Sequence, residues 1–89
     1  FYRGTLKRNQ VLESETSIVI VGDVEEGATV VSKGSIVVVG GLYGSAQAGA
    51  SGRTDVFVAA LCMEPEKLRI GGRKVKPVIG GSYSWAKLS

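Results

Sequence analysis

From Leu6 onward an aliphatic residue returns at every sixth position: Leu6, Leu12, Ile18, Val24, Val30, Ile36, Leu42 and Ala48. An α-helix repeats its buried face every 3.6 residues and a strand every 2, so neither alone sustains this spacing. A chain that turns a corner every six residues does, aiming one aliphatic inward from each side. Three such sides make a coil of about eighteen residues, and the sequence repeats at that distance. Ser17-Ile18-Val19-Ile20-Val21-Gly22-Asp23-Val24 returns as Ser35-Ile36-Val37-Val38-Val39-Gly40-Gly41-Leu42. The pattern predicts an all-β chain wound as a triangular parallel β-helix.

Gly4-Thr5-Leu6, Gly22-Asp23-Val24 and Gly40-Gly41-Leu42 fall at equal places in successive coils. Glycine there suits a corner with positive φ or a close backbone approach. Gly34 and Gly52 are expected to stack at a second corner. The count then breaks. A slip of two residues within Ala50-Ser51-Gly52-Arg53-Thr54 lets the series resume at Val56, Cys62 and Leu68. That frame makes Asp55–Ala59 the third copy of the Ser17–Val21 strand. The repeat fades after Ile70. The chain therefore divides into a β-helix over residues 1–72 and a tail over 73–89. The tail holds Lys74-Val75-Lys76-Pro77-Val78-Ile79 and Tyr83-Ser84-Trp85, and is expected to add a short strand or cap the last coil.

One side differs from the others. Successive residues of a strand point to opposite faces. With Ile18 and Ile20 inward, Val19 and Val21 point out. Their stacked equivalents are expected to be Val37 and Val39, then Phe57 and Ala59. A soluble domain seldom leaves such an apolar patch bare. A second copy related by a two-fold axis needs only self-complementarity, so a homodimer through this face is expected.

Composition narrows the chemistry. The chain has 89 residues, a net charge of +3 and a pI near 9.3, which suits one domain. The basic residues cluster only around Arg69–Lys76, which suits a solvated terminal segment or, as an alternative, an anion-binding module. The few aromatics do not interleave with that cluster, so no nucleic-acid partner is expected. The single cysteine, Cys62, excludes an internal disulfide framework, and its place on the shifted series marks it as a small buried apolar residue. There is no histidine, the commonest acid–base residue and the usual activator of a serine or cysteine nucleophile. Hexad-repeat acyltransferases generally use a histidine base, so they share only the period. Gly40-Gly41-Leu42-Tyr43-Gly44 lacks the Gly-Lys-Ser/Thr ending of a phosphate loop. Glu25 and Glu26 are adjacent at a turn and point apart. No metal-ligand spacing is visible. The chain reads as no enzyme, with no catalytic, metal or cofactor site. It shows no signal peptide or membrane-length apolar run. It opens at Phe1 without a methionine, which implies a larger protein.

The most promising site is Thr5-Leu6-Lys7-Arg8-Asn9-Gln10-Val11, which carries two adjacent cations, then Asn, which tolerates the left-handed conformation, and Gln, both donor and acceptor. Further along, Gly40–Gly52 carries the run Ala48-Gly49-Ala50-Ser51-Gly52, followed at a fixed distance by Met63-Glu64-Pro65-Glu66-Lys67-Leu68-Arg69-Ile70-Gly71-Gly72. With Gly22–Ala28, these segments resemble the C-terminal domain of the MinC family of bacterial septum-site-determining proteins, over roughly Gly4 to Gly72. The resemblance implies a right-handed β-helix, dimeric through one apolar face: here Val19, Val21, Val37, Val39, Phe57 and Ala59. It implies the ATPase MinD as partner, bringing a cytoplasmic protein to the inner face of the cell membrane, which is met only through MinD. It implies a role in antagonising FtsZ so that the septum is placed correctly. The family's MinD-contact motif, Arg-Ser-Gly-Gln, falls on Lys7, Arg8, Asn9 and Gln10. Gln10 is identical, Lys7 keeps the charge, Asn9 mimics the glycine's backbone, and Arg8 offers a guanidinium one place along. Where some members carry arginines that bear on FtsZ, this chain has Tyr43-Gly44-Ser45, so that contact is expected to differ. The competing architecture is a self-assembling β-helix scaffold similar to bactofilins, in which coils stack end to end.

Overall fold

The structure, a computed structural model, describes residues 1–76, 78–79 and 84–87. Among these, every helix or strand is a strand: β1 (Tyr2–Arg3), β2 (Val11–Ser14), β3 (Ile18–Val21), β4 (Thr29–Ser32), β5 (Ile36–Leu42), β6 (Ser45–Ala48), β7 (Phe57–Met63), β8 (Lys67–Ile70), β9 (Arg73–Lys74), β10 (Val78–Ile79) and β11 (Ser84–Lys87). They form two walls. The first runs β1-β3-β5-β7-β11-β10 and the second β2-β4-β6-β8-β9. From β1 to β7 and from β2 to β8 the pairings are all parallel. The third side is thin: single bridges join Leu6 with Val24 and Val24 with Leu42, and the end of β5, Gly41-Leu42, pairs with Cys62-Met63 of β7. Four coils of a parallel β-helix result, as the six-residue spacing predicts.

The aliphatics form ladders inside. Ile20, Val38 and Ala60 stack from coil to coil on the first wall, and Val30, Ala46 and Leu68 on the second. Each fully buried valine or isoleucine side chain contributes about 1.5–3 kcal/mol. Side chains also bond coil to coil. The Ser17 hydroxyl accepts from the Ser35 amide at 2.9 Å, and the Ser35 hydroxyl from the Phe57 amide at 3.0 Å. Ser32, fully buried, donates to the Thr16 carbonyl at 2.7 Å and accepts from the Gly34 amide at 3.0 Å. At the first corner Gly22 and Gly40 have positive φ, and a Cβ on either would collide with the carbonyl oxygen of the glycine one coil earlier. Close coil stacking requires glycine there. At the second corner the expectation fails: it is Gly49, not Gly52, that bonds Gly34, its amide donating to the Gly34 carbonyl at 3.1 Å.

The coil length changes half-way. Leu6–Val24, Leu12–Val30, Ile18–Ile36 and Val24–Leu42 each pair eighteen residues apart. Val30 then pairs with Ala46, only sixteen on, because the corner Tyr43-Gly44 is two residues short. Ile36 next pairs with Val58, twenty-two on. The spacing thus grows by six residues after Ala48, from sixteen to twenty-two, rather than by the expected two. Leu68 points inward as expected but lies under Ala46, and Ile70 takes the expected place under Ala48. Cys62 misses its expected place: Met63 pairs with Leu42 and is buried, while Cys62 stands opposite Gly41 and is half-buried.

The tail joins both walls. β9 pairs antiparallel with β8, and β11 pairs antiparallel with β7. The two strand edges from which a fifth parallel coil would grow are therefore occupied by strands of the opposite direction. Pro77 and Tyr83 lie outside the described residues.

Candidate binding corner and apolar face

Two surfaces stand out. The first is the outer face of the first wall. Val19, Val37, Ala59 and Trp85 form one row across β3, β5, β7 and β11, and Arg3, Val21 and Val39 form the next. Val19 is 39% exposed, Phe57 44%, Leu61 46% and Trp85 39%. The register corrects one expectation. Ala59, not Phe57, continues the Val19–Val37 row, and Phe57 follows Ser35, whose hydroxyl its amide meets. The longer insertion after Ala48 is the reason. Phe57 and Ala59 still lie on the outer face, shifted by two positions. Leu61 and Trp85 were not foreseen there. Strand alternation from Phe57 reaches Leu61, but no periodicity points to Trp85, because β11 enters the sheet antiparallel. Beside Phe57, Ala59 and Trp85 is a shallow depression of about 350 Å³, with the Lys87 ammonium 5.6 Å from the Trp85 ring centre.

The second surface is the corner between the third side and β2. Here Lys7, Arg8, Asn9 and Gln10 form a tight turn, all four exposed. The Gln10 amide donates to the Lys7 carbonyl at 3.0 Å, and the Lys7 amide to the Gln10 side-chain oxygen at 2.7 Å. Asn9 is the one described non-glycine residue with positive φ, 68°, the conformation that asparagine tolerates best. Below it lies the turn Glu25–Ala28, closed by the Ala28 amide on the Glu25 carbonyl at 3.0 Å. The turns are joined by the Asn9 amide donating to the Gly27 carbonyl at 3.0 Å. The Arg8 side chain lies flat on Gly27, where a Cβ would come within 2.6 Å of Arg8 Cγ. The ion pairs among the described residues are Lys33–Glu15 at 2.8 Å and Arg53–Asp55 at 3.0 Å. Lys7 and Arg8 are exposed and in neither, so neither cation has an ion-pair partner among the described residues. The structure thus brings the four residues of the motif together in one exposed turn.

The third coil has no such turn. Gly44 stands where it would be, against the Ala28 and Glu25 carbonyl oxygens, with no room for a Cβ. The Tyr43 ring lies over Gly41, and its hydroxyl is next to Cys62. The Cys62 thiol raises the Tyr43 hydroxyl above its ordinary value, with lesser contributions from burial and from Asp23 and Glu64. In the fourth coil Glu66 reaches back across Gly44, and its carboxylate accepts from the Gly27 amide at 2.7 Å. The basic stretch Arg69–Lys76 borders a groove of about 610 Å³ whose rim includes Glu64 and Glu66 as well as Lys67, Lys74 and Lys76. Mixed charge makes it a poor anion site.

The comparisons with known proteins identify the family and the fold. The family described as the septum formation inhibitor MinC, C-terminal domain, matches residues 1–78. The chain belongs to that family. A probable septum site-determining protein MinC of Agathobacter rectalis is 48% identical over 71 residues, covering 80% of this chain and 29% of that protein. Its counterpart in Prochlorococcus marinus is 41% identical over 85 residues, covering 90% of this chain and 38% of that protein. The chain therefore spans about a third of the length of these relatives. A chain of the MinC:MinD cell division protein complex of Aquifex aeolicus superposes with a TM-score of 0.88 at 36% identity, covering all of this chain and 76% of that one.

Proposed function

We propose that this chain is the dimerising, MinD-binding domain of a bacterial cell-division inhibitor, one that antagonises FtsZ assembly and helps place the division septum. It acts as an adaptor rather than an enzyme. The observation that carries the reading is the exposed turn Lys7–Gln10, with its left-handed Asn9 and two adjacent cations, in a fold that matches a chain of the MinC:MinD complex along its whole length. Arginine's planar fork suits a carboxylate or a backbone edge on a partner, and a lysine beside it adds long-range attraction.

The outer face of the first wall joins two copies, with Val19, Val21, Val37, Val39, Phe57 and Ala59 at its centre. Each dimer then carries two basic corners. On a membrane coated with MinD the second contact is intramolecular, and avidity exceeds the affinity of one corner. The domain meets the membrane only through MinD, and its resting place is the cytoplasm. Support for an adaptor over an end-to-end scaffold comes from β9 and β11, which occupy the edges that stacking coils would need.

The test is a pull-down with MinD and ATP. Wild type should be retained and Lys7→Ala/Arg8→Ala lost, with the variant's oligomeric mass unchanged. Retention of the double variant would overturn the corner assignment and leave the dimer face standing.

A further inference from the structure

We propose that Glu66 is a positioning residue for the basic corner: it fixes the glycine platform on which Arg8 rests. The inference rests on the reading of Lys7–Gln10 as the MinD contact.

Three contacts meet at Gly27. Its carbonyl accepts from the Asn9 amide at 3.0 Å. Its bare α-carbon lies against the Arg8 methylenes. Its amide donates to Glu66 Oε1 at 2.7 Å, across thirty-nine residues of chain. Gly27 has φ of 84°, a conformation in which a side chain is strained. A turn of this kind at the surface is easily loosened when one of its backbone groups has only water to bond. The Glu66 carboxylate removes that freedom with a charge-assisted bond, stronger than a neutral one.

Glu66 reaches Gly27 because the intervening coil is short. A full turn between Leu42 and Ser45, like Lys7–Gln10 or Glu25–Ala28, would stand in the path. With the corner cut to Tyr43-Gly44, the Glu66 amide donates to the Gly44 carbonyl at 2.8 Å, and its side chain crosses the gap to the second coil. The missing residues thus permit a strut from the fourth coil to the second, and the second holds the first. Arg8 projects along a fixed line because its stem lies on a surface that cannot shift.

The experiment measures affinity for MinD with ATP for wild type, Glu66→Ala, Glu66→Gln, Arg8→Ala and Arg8→Ala/Glu66→Ala. In parallel, the hydrogen exchange of the Gly27 amide is followed by NMR. Glu66→Ala should weaken binding about 3- to 10-fold, the range expected for loss of one hydrogen bond. Glu66→Gln, which keeps the acceptor, should bind within about twofold of wild type. In the Arg8→Ala background, loss of Glu66 should add nothing, since the two act through one contact. Gly27 exchange should speed up in Glu66→Ala and be restored in Glu66→Gln. An equal loss from Glu66→Ala with and without Arg8 overturns the proposal, as does wild-type binding by Glu66→Ala. Equal weakness of Glu66→Ala and Glu66→Gln also overturns it and assigns Glu66 a direct charge contact with the partner. If Arg8→Ala itself binds like wild type, the corner reading falls, and the positioning role with it.

Discussion

The two walls share an interior and differ outside. Both bury ladders of valine, isoleucine and alanine, and both carry hydroxyls or backbone bonds from coil to coil. On the outer face of the second wall the rows read Val11, Thr29, Ser45, Lys67 and Glu13, Val31, Gln47, Arg69. On the first wall they read Val19, Val37, Ala59, Trp85 and Arg3, Val21, Val39. The fold needs only the inward half of each strand. The outward half is free to vary, and the contrast between the walls is the ground on which self-association is proposed for one of them.

The sharpest way to break that contrast is to charge each wall in turn. Val37→Glu should convert dimer to monomer in sedimentation or light scattering, weakening association by about 3 kcal/mol or more, since an unpaired carboxylate would be buried at the centre of the interface. Val31→Glu, the matched change on the second wall, should leave the mass unchanged. Dissociation by both would mean that the walls do not differ in this role.

The inward rows should respond alike. Ile36→Ala on the first wall is expected to cost about 2–5 kcal/mol in denaturant unfolding, and Val30→Ala on the second wall somewhat less, because fewer buried carbons are lost. A cost confined to one wall would contradict a shared core.

The smallest effect lies at the long fourth-coil corner. The Arg53 guanidinium bonds both Asp55 oxygens at 3.0 Å and holds that carboxyl below its ordinary value. The folded form therefore takes up the Asp55 proton less readily than the unfolded chain. The resulting stabilisation is in place above the ordinary carboxylate range and fades as pH falls through the folded value. Asp55→Asn should remove that part of the acid-side decline in thermal stability and change little near neutrality, because the pair is exposed. An unaltered acid profile would dissociate the pair from stability altogether.

The six-residue count reads the first two coils correctly because their corners are of equal length and each places one aliphatic inward. It fails at the third coil for a specific reason. Ala46 and Ala48 are both buried and point the same way, so the count reaches Ala48 without registering that Ala46 is Val30's true neighbour. The two lost residues are hidden, and the six gained between Ala48 and Val58 are then undercounted. The Phe57 row was misplaced for this cause, and Cys62 for this cause together with a register shift between Val38 and Gly41. The corner Lys7–Gln10 was legible through its charges and through Asn9, whose left-handed backbone the structure adopts. Glu66 was not, because its partner is a backbone amide far away in sequence, and no side-chain pattern marks such a bond. Trp85 was not, because an antiparallel strand of four residues has no period to reveal it.

The reversed direction of β11 and β9 has an evolutionary corollary. A parallel spiral lengthens most simply by copying one of its own turns, yet a copy added after Ile70 would meet strands running the wrong way. Copying a turn between β3 and β5, where neighbours match residue for residue at the common spacing, meets no such obstacle. Each such duplication would widen the apolar wall by one strand, about 4.8 Å. It would also open a gap between Glu66 and Gly27 that one glutamate could no longer span.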